Sequence, residues 1–392
     1  MPDRIEDGND LKIRTKDFQI WVFNSEVTEK NGSNSMESTG KSLQLSRRQL
    51  LQVGAGAAVF AVTAGKSALA QSSSPTELLV TGGGGDFGVK LQKAYYDGFQ
   101  AASGIKIVPQ PYKGLAELKA MVEAKAWGQA DVLLTSAGEA AMAEKLGLSE
   151  PLDYSLVKKD DLMKGSFGKN YFLTDVASSV LAWNTDAVKP GSEPKNWVDF
   201  FNPSNRAPRA LFKNWNQTFE IALLGAGVPI DKLYPMDADL ALKTLTAIRD
   251  TIRWYEGGAQ SQQMLGGGEV DMGMLWVNRA DGLVTDGKPV KYLNTNTVLD
   301  GDAIVIPAGH PNKDKAMKFA AYLATPEPQA RLTNLTPLGP TNVKAASLIE
   351  PDKLAKTATA PEFAATNRFQ DFAWLADNGD KLTEMFNKWL LG

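Results

Sequence analysis

Cysteine is absent from all 392 residues, histidine occurs once, and the most apolar stretch, Val53 to Ala64, is far too short to span a membrane. Without cysteine the chain has no disulfide scaffold, no thiol nucleophile and no residue to carry a lipid anchor after an export signal. The one histidine, His310, lies in Ala308-Gly309-His310-Pro311-Asn312 and reads as a surface turn. With neither a second histidine nor a thiolate, the usual zinc and copper ligand sets are missing. Ser-His and Cys-His pairs have no candidate either, Gly-x-Ser-x-Gly does not occur, and Asp160-Asp161 reads as solvated surface. These absences point to binding without catalysis, with no cofactor.

What is present begins with an export signal. Ser46-Arg47-Arg48-Gln49-Leu50-Leu51-Gln52 pairs two arginines ahead of the apolar stretch, and Ala68-Leu69-Ala70 is a small-x-small cleavage site. The expectation is a twin-arginine signal over residues 36–70, cut after Ala70, preceded by a disordered or untranslated segment 1–35 and followed by a linker at 71–75. The chain is then free in the periplasm. The first 70 residues hold nine of the 42 Lys and Arg and eight of the 45 Asp and Glu, so the mature chain carries a net charge near −4. That balance recruits neither nucleic acid nor an anionic membrane.

Apolar runs alternate with helical stretches: Leu78–Thr81, a helix near 89–103, Ile105–Val108, a helix near 115–126, Val132–Thr135, then a helix near 138–146. Such alternation predicts a parallel α/β sheet with its ligand at the carboxyl ends of the strands. A second block, about 184–300, holds helices near 217–224 and 238–254 and a strand at 271–276. Asp302 to Pro307 reads as a further buried strand, and the length calls for two lobes.

Four glycines, Gly82 to Gly85, end the first strand. Backbone N–H groups exposed in such a turn at a helix start suit an anionic or polar ligand group. Gly83-Gly84-Gly85-Asp86-Phe87-Gly88 also satisfies G-x-G-x-x-G, which keeps open an exported oxidoreductase binding a nucleotide at Gly82–Gly88. Against that reading, the second strand is followed by Pro109-Gln110-Pro111, with no acid for a ribose hydroxyl.

Several segments resemble the periplasmic solute-binding proteins of ABC importers, in their spermidine/putrescine-binding branch. They are Gly104-Ile105-Lys106-Ile107, Ala130-Asp131-Val132-Leu133, Leu181-Ala182-Trp183-Asn184-Thr185-Asp186, Gly258-Ala259-Gln260-Ser261-Gln262-Gln263, Gly268-Glu269-Val270-Asp271-Met272-Gly273, and Ile306-Pro307 before Asn312-Lys313. The resemblance implies a two-lobed type II clamshell, each lobe a mixed sheet flanked by helices. It sets lobe 1 at 76–182 and 301–345, lobe 2 at 183–300 and 346–392, and hinge crossings near Trp183 and near Asp300. It also implies a monomer that closes on a small solute and delivers it to a membrane permease driven by an ATPase, after export by the twin-arginine machinery.

The chain departs from the polyamine pattern in its cleft. Gly83, Gly84 and Gly85 stand where polyamine binders carry aromatics, Asn214, Trp215 and Gln217 stand near their acidic residues, and Trp276 is followed by Arg279. Asp302 matches the family's amine-binding aspartate. Arg279 for a carboxylate, with Asp302 and Trp276 for an amine, implies a zwitterionic or amine-plus-acid solute. Phe87 and Trp215 are placed to line the cleft from opposite lobes, and Ser136 sits in the third-strand loop. Asp86 either meets ligand or caps the first helix. Arg279 has a second reading, an ion pair with Asp281 or Glu269 outside the cleft. An iron-binding clamshell is the third alternative, although Tyr95-Tyr96 lie on one helix about 100° apart.

Overall fold

The computed structural model describes residues 14–15, 18–19 and 76–392, except 112, 113 and 364. The chain divides into two units, Met1–Gly65 and Lys66–Gly392. In the first, Arg14–Thr15 pairs antiparallel with Phe18–Gln19. The signal, its cleavage site and the linker lie outside the described residues.

The larger unit contains two sheets. The first has five strands in the order β2-β1-β3-β11-β4: β1 Glu77–Thr81, β2 Lys106–Gln110, β3 Val132–Ser136, β4 Tyr171–Leu173 and β11 Asp302–Val305. Strands β1, β2 and β3 run parallel, as strands spaced by helices must, whereas β11 is antiparallel to β3 and β4. The second sheet contains β5 Ala177–Asn184, β6 Arg209–Phe212, β7 Ile252–Tyr255, β8 Met272–Trp276, β9 Val290–Leu293, β10 Val298–Asp300 and β12 Arg368–Phe369. Its order is β12-β10-β5-β8-β6-β7, with β9 also paired to β5. Both interiors are apolar, Leu78, Val80, Val132, Ile304 and Val305 filling the first and Ala182, Ala210, Met274 and Leu275 the second.

The chain leaves the first sheet between Leu173 and Ala177 and returns at Gly301. The first crossing therefore precedes Trp183, which is buried inside β5 opposite Met272. Gly301 has no room for a side chain, since a Cβ there would lie 2.1 Å from the Asp175 carbonyl oxygen, where the two crossings touch.

Two expectations are corrected. The helix foreseen over 238–254 stops at Ala247, and Ile252–Tyr255 forms β7 beside β6. A 3-10 turn at Arg249–Thr251 ends the helical path, and the β-branched and aromatic residues that follow favour an edge strand. His310 is 1% exposed rather than on a surface turn. Its Nδ1 accepts the Asn312 N–H at 3.1 Å, its ring stands edge-on to Trp127 at 5.0 Å, and Nε2 lies 3.4 Å from Asp131 Oδ1. Burial holds its pKa below the ordinary value, so it serves as a neutral brace for the loop.

Candidate functional site

Strand ends and helix starts converge between the sheets. The glycine loop follows β1 and opens α1, Gly85–Leu91; Ser136 ends β3 and caps α2, Ala137–Lys145; Trp276 ends β8 and precedes α4, Val277–Thr285. A fourth helix, α3 Trp215–Gly225, starts with a kink, because Asn216 and Gln217 depart from helical geometry and Gln217 has φ +67°. All four N-termini bring orphan N–H groups to one region.

An inner cavity of about 250 Å³ sits among them, lined by Gly83, Phe87 and Ser136 from one side, Gln217, Trp276, Asn278 and Arg279 from the other, and Asp175, Asp300, Gly301 and Asp302 at the crossings. Its floor is acidic. Asp175 is 2% exposed and Asp300 9%, while Asp302 is partly accessible. Asp175 Oδ1 accepts the Asp302 N–H at 3.3 Å, so the two crossings are tied. Asp300 Oδ2 accepts from Gln217 Nε2 at 3.0 Å, and its Oδ1 is buried without a hydrogen-bond partner.

Burial pushes the Asp300 carboxyl up to about 6, and burial together with the Asp300 charge pushes Asp302 up to about 7. Burial and the Asp302 charge raise Asp175 well above the usual carboxylate range. Three acids in one low-dielectric pocket cannot all ionise cheaply, and a cation placed among them removes the conflict. Among the described residues no group of three or more His, Cys, Asp and Glu is arranged to hold a metal ion.

The opposing wall is fixed by Gln217. Its Oε1 accepts from Trp276 Nε1 at 2.8 Å and Ser179 Oγ at 3.0 Å, which leaves Nε2 to donate to Asp300. The indole is thereby held in the wall of the same cavity as the three aspartates. Arg279 packs with Trp276 against Gly258, where a Cβ would come within 2.7 Å of its Nε. That Nε is buried without a partner, and Arg279 makes no ion pair among the described residues. Asp281, one of the two acids considered for it, instead binds Lys356 at 3.0 Å and the Tyr292 hydroxyl at 3.3 Å.

Of the residues expected from the sequence, Gly83, Phe87, Ser136, Gln217, Trp276, Arg279 and Asp302 meet in this cavity. Gly84 and Gly85 line a wider depression of about 1140 Å³ on the first lobe, which shares Gly83, Ser136 and Asp302 with the inner cavity. Asp86 is at the cleft mouth, bound to Lys90 at 2.9 Å, and neither caps α1 nor reaches the floor. Asn214 is spent as the cap of α3, its Oδ1 accepting the Asn216 N–H at 3.0 Å. Trp215 turns away to give its Nε1–H to Thr383 Oγ1 at 2.8 Å on α5, Phe372–Leu391. Sequence reasoning missed Asp175, Asp300 and Asn278 as lining residues. Asp300 and Asp302 flanking a single glycine was the available signal.

The profile of the bacterial extracellular solute-binding proteins matches residues 94–365. The γ-aminobutyric acid-binding protein of Pseudomonas aeruginosa is 29% identical over 341 residues, 84% of this chain and 95% of that protein. The spermidine/putrescine-binding periplasmic protein of Escherichia coli is 22% identical over 264 residues, 65% of this chain and 75% of that one. The solved structure of the Atu4243–GABA receptor is 31% identical, covers 80% of this chain and 97% of its own, and superposes with a TM-score of 0.74. The mixed α/β architecture of two sheets with flanking helices is shared with that structure.

Proposed function

The chain belongs to the bacterial extracellular solute-binding proteins, and from that premise we propose that this importer component captures a small zwitterion with an ammonium and a carboxylate at opposite ends. The single observation behind this reading is charge separation inside one 250 Å³ cavity, with Asp175, Asp300 and Asp302 at the floor and an unpaired Arg279 on the wall. An ammonium enters the acids under the Trp276 indole, and a carboxylate takes the Arg279 guanidinium in a charge-assisted pair. A flexible ω-amino acid of the γ-aminobutyric acid type satisfies both ends. A diamine satisfies only the floor and sets its second cation against Arg279.

The solute bridges both lobes, because Ser136, Phe87 and Asp302 belong to the first sheet's side and Gln217, Trp276 and Arg279 to the second. Contacts made only when the lobes meet favour closure, and the closed form is what a membrane permease and its ATPase read. In this reading the chain works in the periplasm as a monomer after twin-arginine export. The glycine loop serves as cavity wall rather than as a nucleotide cradle.

Isothermal titration with 4-aminobutanoate, putrescine and spermidine tests the proposal. Binding of the amino acid with weak or absent diamine binding is expected. Tighter putrescine than 4-aminobutanoate overturns it.

A further inference from the structure

Arg279 does not close the inner cavity. Together with Phe87 and Asn278 it also lines a second space of about 460 Å³ at the mouth between the lobes. The inner cavity alone falls below the roughly 300–1,000 Å³ of sites that enclose larger ligands, and the two joined fall inside that range. The mouth is also charged in a particular way. Asp86 is paired with Lys90 at 2.9 Å and Asp281 with Lys356 at 3.0 Å. That leaves Arg279 and Lys353 against Asp286, one positive charge in excess, with Lys353 on the short helix Pro351–Leu354 and unpaired among the described residues.

Resting on the zwitterion reading, we propose that the physiological solute is longer than a simple ω-amino acid: an ω-aminoacyl conjugate whose acyl oxygen meets Arg279 and whose terminal carboxylate reaches the mouth near Lys353. The ammonium still enters the acidic floor. The guanidinium at the neck is a pure donor and can bond an amide carbonyl as well as a carboxylate oxygen, the carboxylate more strongly. An anion beyond it finds the excess positive charge, and a bare four-carbon amino acid leaves the mouth unfilled. The neutral Thr333, Thr336 and Pro337 from the first lobe cover the other side of that space, so closure encloses the tail.

Titration of the chain with 4-aminobutanoylglycine beside 4-aminobutanoate separates the two ideas. The conjugate is expected to bind at least as tightly as the short acid. Lys353→Ala, at an exposed side chain, is expected to weaken the conjugate about threefold to fivefold and leave the short acid within twofold. Binding of the short acid with the conjugate tenfold or more weaker overturns the inference and spares the zwitterion reading. An equal response of both ligands to Lys353→Ala also overturns the inference. Failure of both ligands, with putrescine binding, overturns the zwitterion reading as well.

Discussion

Capture of an ammonium by this floor has to release protons, and pH is the perturbation that exposes it. In the free protein burial holds Asp300 at about 6 and Asp302 at about 7, with Asp175 raised beside them. Tyr95 and Tyr96, which also face the floor, are raised above their ordinary values by burial and stay neutral between pH 5 and 8. The two ends of a zwitterion keep their charges over the same range. A bound ammonium favours the ionised acids, so affinity is flat above pH 8 and falls as the free carboxylates take up protons. From pH 8 to pH 5 the loss is about 100-fold, or ~2.7 kcal/mol, if only Asp302 must ionise, and about 1,000-fold if Asp300 must ionise too.

Stability of the free protein runs the other way. A carboxyl whose folded pKa lies above its unfolded value near ~3.9 binds more protons in the native state, so these two groups add stability as pH falls from about 7 towards 4. Calorimetric titration at pH 6.5 in two buffers of different ionisation heat measures the protons released per ligand, expected between zero and two and distinctly above zero. Thermal unfolding of the free protein is expected to show a rising contribution from these groups as pH falls, while the ligand-induced increment shrinks. An affinity constant between pH 5 and 8, with no proton release, refutes the reasoning.

Arg279→Ala is expected to weaken 4-aminobutanoate by about 100-fold or more, since it deletes a charge-assisted pair, and to leave putrescine unchanged or tighter; titration calorimetry on both ligands checks the divergence. Glu220 is fully buried on α3, where its Oε1 accepts from Gln370 Nε2 at 2.6 Å and Tyr234 Oη at 2.8 Å, while its Oε2 and Gln370 Oε1 both lack partners. Burial raises its pKa, which favours the neutral carboxyl. Glu220→Gln is therefore expected to keep chemical-denaturation stability within about 1 kcal/mol, whereas Glu220→Ala loses roughly 2–4 kcal/mol by opening a cavity and leaving the Tyr234 hydroxyl without its acceptor, Gln370 keeping only Asn216 Oδ1 at 2.6 Å. Gln217→Ala breaks the bonds to Asp300, Trp276 and Ser179 at a residue held at φ +67°, and tenfold or greater weakening of ligand binding is expected. A Gln217→Ala protein that folds and binds as before contradicts the role assigned to that side chain.

Much of the fold is local in origin. The runs Leu78–Thr81 and Val132–Thr135 are apolar and bounded by turn residues, so their strand character needs no tertiary information. Trp254 shows the limit, since Ala238 to Trp254 keeps a helical pattern until Arg249–Thr251 turns and a neighbouring strand offers partners to Ile252–Tyr255. In the site, Arg279, Trp276 and Asp302 were legible because a cation, an aromatic and an acid each follow or lead an apolar strand. Asp175 carries no such mark. It lies in a crossing with no periodicity, and only the return of the chain at Gly301 brings it against Asp302.

Trp215 and His310 make the complementary point. Each has a type that suits a ligand or a surface, and each is assigned by neighbours far along the chain: Thr383 for the indole, Trp127 and Asp131 for the imidazole. Composition and order alone determined much of the strand and helix succession before residue 248, the glycine turn after the first strand, the absence of any cysteine, and the presence of an arginine behind a tryptophan. Tertiary structure alone decided that three aspartates share one floor, that Gln217 orients its amide toward Asp300, and that Arg279 stands unpaired between two cavities. The physical reason is distance in sequence: hydrogen-bond periodicity is written within a few residues, whereas desolvation and charge proximity depend on groups such as Gln217 and Asp300, 83 residues apart, or Asp175 and Asp302, 127 apart, that meet only when both crossings are made.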